Sequence, residues 1–119
     1  MKVAIWLDDL RDPKSLQWRD LISTYAPEAA RVLWVKTDDD FRGVFTQISD
    51  DPSTTLDAVF FDNDLGGDKD GRHTFTWMEE QVRLHKLPSF TLYAQTANPA
   101  ARVELQGGFN SLQRFWKTP

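Results

Sequence analysis

Val3-Ala4-Ile5-Trp6-Leu7-Asp8-Asp9 is the stretch whose reading decides the fold: five apolar residues run without a break into two aspartates. An apolar run this short and continuous fits a strand covered by helices on both faces, the environment of a parallel sheet. A second run, Ala58-Val59-Phe60-Phe61, ends the same way in Asp62-Asn63-Asp64. Carboxylates at the C-terminal ends of parallel strands lie on the rim where open α/β sheets bind ligands. Four aspartates on that rim, Asp8, Asp9, Asp62 and Asp64, repel one another unless a cation or raised pKa values offset the repulsion. The simplest counter-ion is a hard divalent cation, Mg²⁺, held by carboxylates together with water and a phosphate.

The rest of the chain supports a βα alternation. After Asp12-Pro13 a helix carries Trp18, Leu21, Ile22 and Tyr25 at helical spacing and stops at Pro27. Val32-Leu33-Trp34-Val35 reads as the second strand. Thr37 caps a helix whose first turn, Asp38-Asp39-Asp40, is ordinary N-terminal negative charge, and Phe41, Val44, Phe45 and Ile48 form its apolar face. An acidic, glycine-rich loop from Asp62 to Gly71 follows the third strand. A helix from about Thr74 to Lys86 buries Phe75, Met78 and Val82, with Trp77 and Leu84 broadening the face. Phe90 to Ala94 is the fourth strand, and Asn98-Pro99 opens the next helix with a cap and a proline at its first position. Beyond Gly107-Gly108 the chain continues as helix or forms a fifth strand. Right-handed crossovers make this an α/β, flavodoxin-like three-layer sandwich with a parallel sheet of four strands, or five on the second reading of the C-terminus.

Composition narrows the function. The 119 residues suit one domain, 1–119, and 40% apolar content with five tryptophans fits a folded core. There is no cysteine, so neither disulfides nor thiolate chemistry enter. Neither a signal peptide nor a membrane span is visible, and the expectation is a soluble, cytoplasmic protein with no membrane partner. A net charge of −4 offers no broad DNA-binding face, but a metal would invert the local sign and admit a phosphate.

Two adjacent aspartates after strand one, Asp62 after strand three and Thr96-Ala97 after strand four resemble a two-component receiver domain. That resemblance implies metal-binding acids at Asp8 and Asp9, a phosphoacceptor at Asp62, and a hydroxyl at Thr96 that contacts the phosphoryl group. The lysine expected after a fifth strand has no secure counterpart, since Lys117 is poorly spaced and lies almost at the terminus. A closer resemblance is to the cyclic-phosphate processing receiver-like domains of bacteria and phages. It rests on Trp6-Leu7-Asp8-Asp9-Leu10-Arg11-Asp12-Pro13, on Asp62-Asn63-Asp64-Leu65-Gly66, and on Asn98-Pro99 with Arg102. Two positions depart from that family. Asn63 stands where a histidine usually separates the aspartates, and Gln95-Thr96-Ala97-Asn98-Pro99 replaces a string that usually begins with histidine. Histidine transfers protons near neutral pH, whereas Asn and Gln only donate and accept hydrogen bonds. The expectation is therefore a binder or sensor in preference to a fast catalyst.

The resulting site has Asp8, Asp9, Asp62 and Asp64 as metal ligands and Asp62 as the catalytic position if turnover occurs. Thr96, Asn98, Arg11 and Asn63 form the phosphate-binding set. Arg11 is open to two roles, neutralising the acids in place of a metal or gripping a substrate phosphate. Asn98 serves equally as a plain helix cap. His73 and His85 read as surface residues of the third helix, and Trp34 and Trp116 as the tryptophans exposed enough for a protein partner. The ligand class is a phosphate-bearing small molecule or RNA end, such as a cyclic phosphate or nucleotide. If active, the chain would carry out Mg²⁺-dependent phosphoester or cyclic-phosphate hydrolysis, or phosphotransfer. Two other classes remain: a protein-interaction module whose pocket is vestigial, and a Toprim-like metal-dependent nuclease.

Overall fold

The computed structural model describes residues 1–118. Its elements alternate as β1 (Lys2–Leu7), α1 (Leu16–Tyr25), β2 (Arg31–Val35), α2 (Asp38–Asp50), β3 (Thr55–Phe61), α3 (Gly71–His85), β4 (Thr91–Ala94) and α4 (Pro99–Lys117). The four strands form one parallel sheet in the order β2-β1-β3-β4, with Leu7 level with both Val35 and Phe61. Among the described residues this is the flavodoxin-like order without a fifth strand, and β1 and β3 are neighbours at the switch point where such folds bind ligands.

Alternation along the strands divides the core in two. Val3, Ile5, Leu7, Val35, Val59 and Phe61 face α2, α3 and α4, which bring Phe41, Phe45, Met78, Val82, Leu105, Phe109 and Leu112. Ala4, Trp6, Ala58 and Phe60 face the other way, where α1 supplies Ile22, with Ala26 beyond its end and Trp18 and Leu21 alongside. Three helices cover one face and a single helix covers the other. Among the described residues no helix is long and apolar enough to cross a membrane.

Several sequence expectations shift. The C-terminal segment is one continuous helix, because Ala101, Leu105, Phe109 and Leu112 keep helical spacing through Gly107-Gly108 and are all buried. Gly108 lies against α3 so closely that a Cβ there would meet the Phe75 ring at 2.4 Å. Leu84 does not widen the α3 core face: it is 73% exposed, because it lies about 200° around the helix from Val82. Tyr25 is half-exposed, its ring resting on Tyr93 at the rim of the smaller cluster. α3 begins at Gly71, earlier than Thr74, because Asp70 caps it by accepting the His73 N–H at 3.0 Å. Phe90 precedes β4 and packs on Trp116 instead of pairing in the sheet.

Asp38 is more than first-turn charge. It is buried, accepts the Thr74 hydroxyl at 2.7 Å, and pairs with Arg42 at 2.8 Å and Lys69 at 3.5 Å. Burial opposes its ionisation, but the Thr74 hydrogen bond and the charge of Arg42 outweigh it and hold its pKa below the ordinary carboxylate value. The contact latches α2 to α3 beside the acidic loop. Thr74→Val is expected to lose a hydrogen bond to a charged group, about 1.5–3 kcal/mol, read as a lower urea midpoint. An unchanged midpoint would show that the latch adds nothing.

Candidate functional site

The strand ladders end one residue past each strand, and those residues form the site. Asp8 N–H donates to Val35 O at 3.0 Å, Asp62 N–H to Leu7 O at 2.9 Å, and Gln95 N–H to Phe61 O at 3.0 Å. Asp8, Asp62 and Gln95 are therefore held side by side on the rim by backbone bonds. Oxygens of Asp8, Asp9 and Asp62 lie within 4.8 Å of one another, a spacing that a single cation can span. Asp8 and Asp62 are buried and Asp9 is partly so. Asp64 lies outside this group, exposed, and accepts the Asn63 side-chain N–H at 3.4 Å. Strand alternation has ended here: Asp62 and Asn63 are both buried, and the chain turns outward at the next residue.

Arg11 lies over the acids. Its Nη1 is 3.1 Å from Asp8 Oδ2 and 3.3 Å from Asp62 Oδ1, and its guanidinium carbon is 5.7 Å from the Trp18 ring centre. Burial alone would lower its pKa, but the hydrogen bond and charge of Asp8, followed by those of Asp62, keep it above the ordinary value. The backbone beneath is fixed: Arg11 N–H donates to Asp8 Oδ1 at 2.8 Å, and the Trp6 indole donates to Arg11 O at 2.9 Å. Even with this cation present, the Asp62 carboxyl is pushed up to about 6, by burial first and by the charge of Asp8 second.

Three buried oxygens on residues just past the ends of β1, β3 and β4 have no hydrogen-bond partner: Asp9 Oδ1, Asn63 Oδ1 and Gln95 Oε1. Buried polar atoms are normally satisfied, and Asp9 Oδ1, which belongs to the group of three carboxylates, is free to accept a cation. All are hard oxygens, the donor set suited to Mg²⁺ or Ca²⁺ and unsuited to soft metals. The residues present thus fit a hard cation. Gln95 is the residue whose role the sequence concealed. Its Nε2 donates to Leu7 O at 3.1 Å, so one side chain reaches across β3 to the end of β1. Nothing in the amino-acid pattern signals this, because the contact depends on β4 lying next to β3.

Thr96 and Asn98 sit at the end of β4 and the start of α4. Thr96 is buried and its Oγ1 accepts the Asn98 N–H at 3.2 Å, while Asn98 Oδ1 caps α4 by accepting the Ala101 N–H at 3.2 Å. Of the tryptophans expected to be exposed, Trp34 is exposed and Trp116 partly buried, and each indole N–H has a backbone partner. Trp34, on the edge strand, donates to Asp8 O at 2.7 Å, and Trp116 donates to Leu87 O at 3.0 Å. His73 is exposed on α3 and faces Asp70, and His85 is exposed at its end, so neither lies with the acids.

A parallel β2-β1-β3-β4 sheet with paired acids after β1 and a third after β3 defines a receiver-type domain. More specifically, the chain belongs to the cyclic-phosphate processing receiver domain family, whose model matches residues 3–111. No curated protein and no solved structure matched it.

Proposed function

We propose that the chain is a ligand-binding receiver domain that holds Mg²⁺ through Asp8, Asp9 and Asp62 and takes a phosphate-bearing ligand beside them. The observation that carries this reading is the convergence of three carboxylates at the β1–β3 switch point, with Asp9 Oδ1 buried and unpartnered. A bound Mg²⁺ would neutralise the acids and polarise a phosphoryl oxygen. Arg11 supplies a planar donor pair for phosphate, and the Thr96 hydroxyl, though it accepts from Asn98, still has its own proton to give. Asn98, at the N-terminus of the 19-residue α4, brings that helix end to the same rim. The family name directs the ligand class toward a cyclic-phosphate end or nucleotide.

Binding, with slow turnover or none, fits the buried amides. Asn63 and Gln95 are 2% and 5% exposed and cannot move a proton near neutral pH, and both histidines lie elsewhere on α3. Attack of the Asp62 carboxylate on acetyl phosphate, forming an acyl phosphate with acetate as the leaving group, is a covalent step the site could support, and labelling of Asp62 tests it.

Calorimetric titration with Mg²⁺ together with a nucleoside 2′,3′-cyclic phosphate tests the binding reading. Saturable heat is expected from the wild type, and Asp9→Ala should weaken Mg²⁺ binding about tenfold or more, since it removes a ligand and leaves the fold's ladder bonds intact. Absence of binding by the wild type, or equal affinity in the variant, would refute it.

A further inference from the structure

Asp8 has only one oxygen to offer a metal, and Arg11 holds it. Asp8 Oδ1 already accepts the backbone N–H of Leu10 at 3.0 Å and of Arg11 at 2.8 Å. The remaining oxygen, Oδ2, is the one in contact with Arg11 Nη1 at 3.1 Å, and the same Nη1 also contacts Asp62 Oδ1. A cation that uses all three acids must take over Asp8 Oδ2. We propose that Arg11 is a tethered counter-ion of this site, displaced by the divalent metal and thereby made available to the phosphate of the ligand. The inference rests on the binding reading above and adds an order and a coupling to it.

The geometry favours movement of the arginine over movement of the acids. The Asp8 and Asp62 side chains are 0% and 5% exposed and sit on strand-end residues fixed by backbone bonds, whereas the Arg11 side chain is 29% exposed. Its main chain is pinned by Asp8 and by the Trp6 indole, so the side chain pivots about a fixed point and remains at the mouth of the site. The Trp18 face gives the guanidinium a second resting contact. Two cations on one carboxylate oxygen repel, and a guanidinium driven off that oxygen lies beside the site where a phosphate bound to the metal would present its oxygens. Metal and phosphate then assist one another, and the assistance is reciprocal because it is a single coupling free energy.

Arg11→Ala tests this, with Mg²⁺ alone and inorganic phosphate as probes and tryptophan fluorescence and thermal unfolding as readouts. In the wild type each probe should tighten the other about five- to a hundredfold. In Arg11→Ala, Mg²⁺ alone should bind about tenfold tighter, phosphate at saturating Mg²⁺ should bind about tenfold weaker, and the coupling should fall toward unity. The Mg²⁺-induced fluorescence change of the wild type should be smaller in Trp18→Phe, with Trp6 and Trp34 left to report on the backbone of Arg11 and Asp8. If removal of the arginine leaves the variant only marginally folded, Mg²⁺ should raise its melting temperature more than that of the wild type, which reads the same competition. Unchanged or weaker Mg²⁺ binding by Arg11→Ala overturns the counter-ion role while leaving the metal site standing. Failure of both proteins to bind or respond to Mg²⁺ overturns the site reading itself, and the inference with it.

Discussion

Near pH 7.5 and without divalent metal, Asp62→Asn is expected to be more stable than the wild-type chain by on the order of 2–3 kcal/mol. The buried Asp62 carboxyl, 5% exposed, titrates at about 6 instead of 3.8. A carboxyl that holds its proton more tightly in the folded state than in the unfolded state stabilises the fold at low pH. That contribution is complete below about pH 3.8 and is lost as the pH rises through about 6. Above that range the ionised group is a standing burden on the fold, which asparagine removes at the loss of a half-exposed contact to Arg11. The difference in stability between the two proteins should therefore shrink below pH 6 and vanish near pH 4, as followed by urea unfolding across that range. Saturating Mg²⁺ should narrow it from the other direction by stabilising the wild type alone. An Asp62→Asn protein less stable than wild type at neutral pH would mean that Asp62 is an ordinary turn-forming acid.

Gly71→Ala should have the opposite effect and destabilise the fold by about 3 kcal/mol or more. A Cβ on Gly71 would lie 2.0 Å from the carbonyl oxygen of Asp62 and 3.0 Å from Asn63 Cα, and backbone atoms cannot rotate aside as a side chain can. Gly71 N–H also donates to Asn63 O at 2.8 Å, so the start of α3 is docked directly on the loop that carries the site. Moving α3 outward to make room breaks that bond and shifts Asp62 relative to Asp8. Gly43, in the exposed middle of α2, has nothing within 4 Å of a Cβ, and Gly43→Ala should gain about 0.5–1 kcal/mol from helix propensity. The opposite signs of these two glycine changes, measured by chemical unfolding, separate close approach from propensity. A Gly71→Ala protein as stable as wild type would refute the docking.

Much of the architecture was legible because the signals are local. Continuous apolar runs at Val3–Leu7 and Ala58–Phe61, the Thr37 cap and the Asn98-Pro99 start each act within a few residues of themselves. The placement of Asp8, Asp9 and Asp62 on one rim followed from the same local reading plus the handedness of parallel crossovers. Asp64 lies outside the converging acids because one residue of turn separates an inward side chain from an outward one. Asp38 was missed because its partner Thr74 lies on another helix, although Arg42 at i+4 was a readable hint. Gln95 and Gly71 owe their importance to what tertiary structure sets beside them. The C-terminal helix was left open because two adjacent glycines argue against helix locally, while buried spacing over a longer window argues for it.

The uneven cover of the sheet bears on how this site can respond in time. α1 alone closes one face, over the smaller apolar cluster, and it carries the tryptophan on which Arg11 rests. The element with the least to lose by local opening is thus the one beside Arg11, whereas Asp8 and Asp62 are tied by backbone bonds to the ends of β2 and β1. A fluctuation of α1 would remove the Trp18 contact of the guanidinium and leave those backbone bonds in place. The rate at which a cation gains entry would then be governed by the breathing of one peripheral helix, with the sheet acting as the still frame against which it moves.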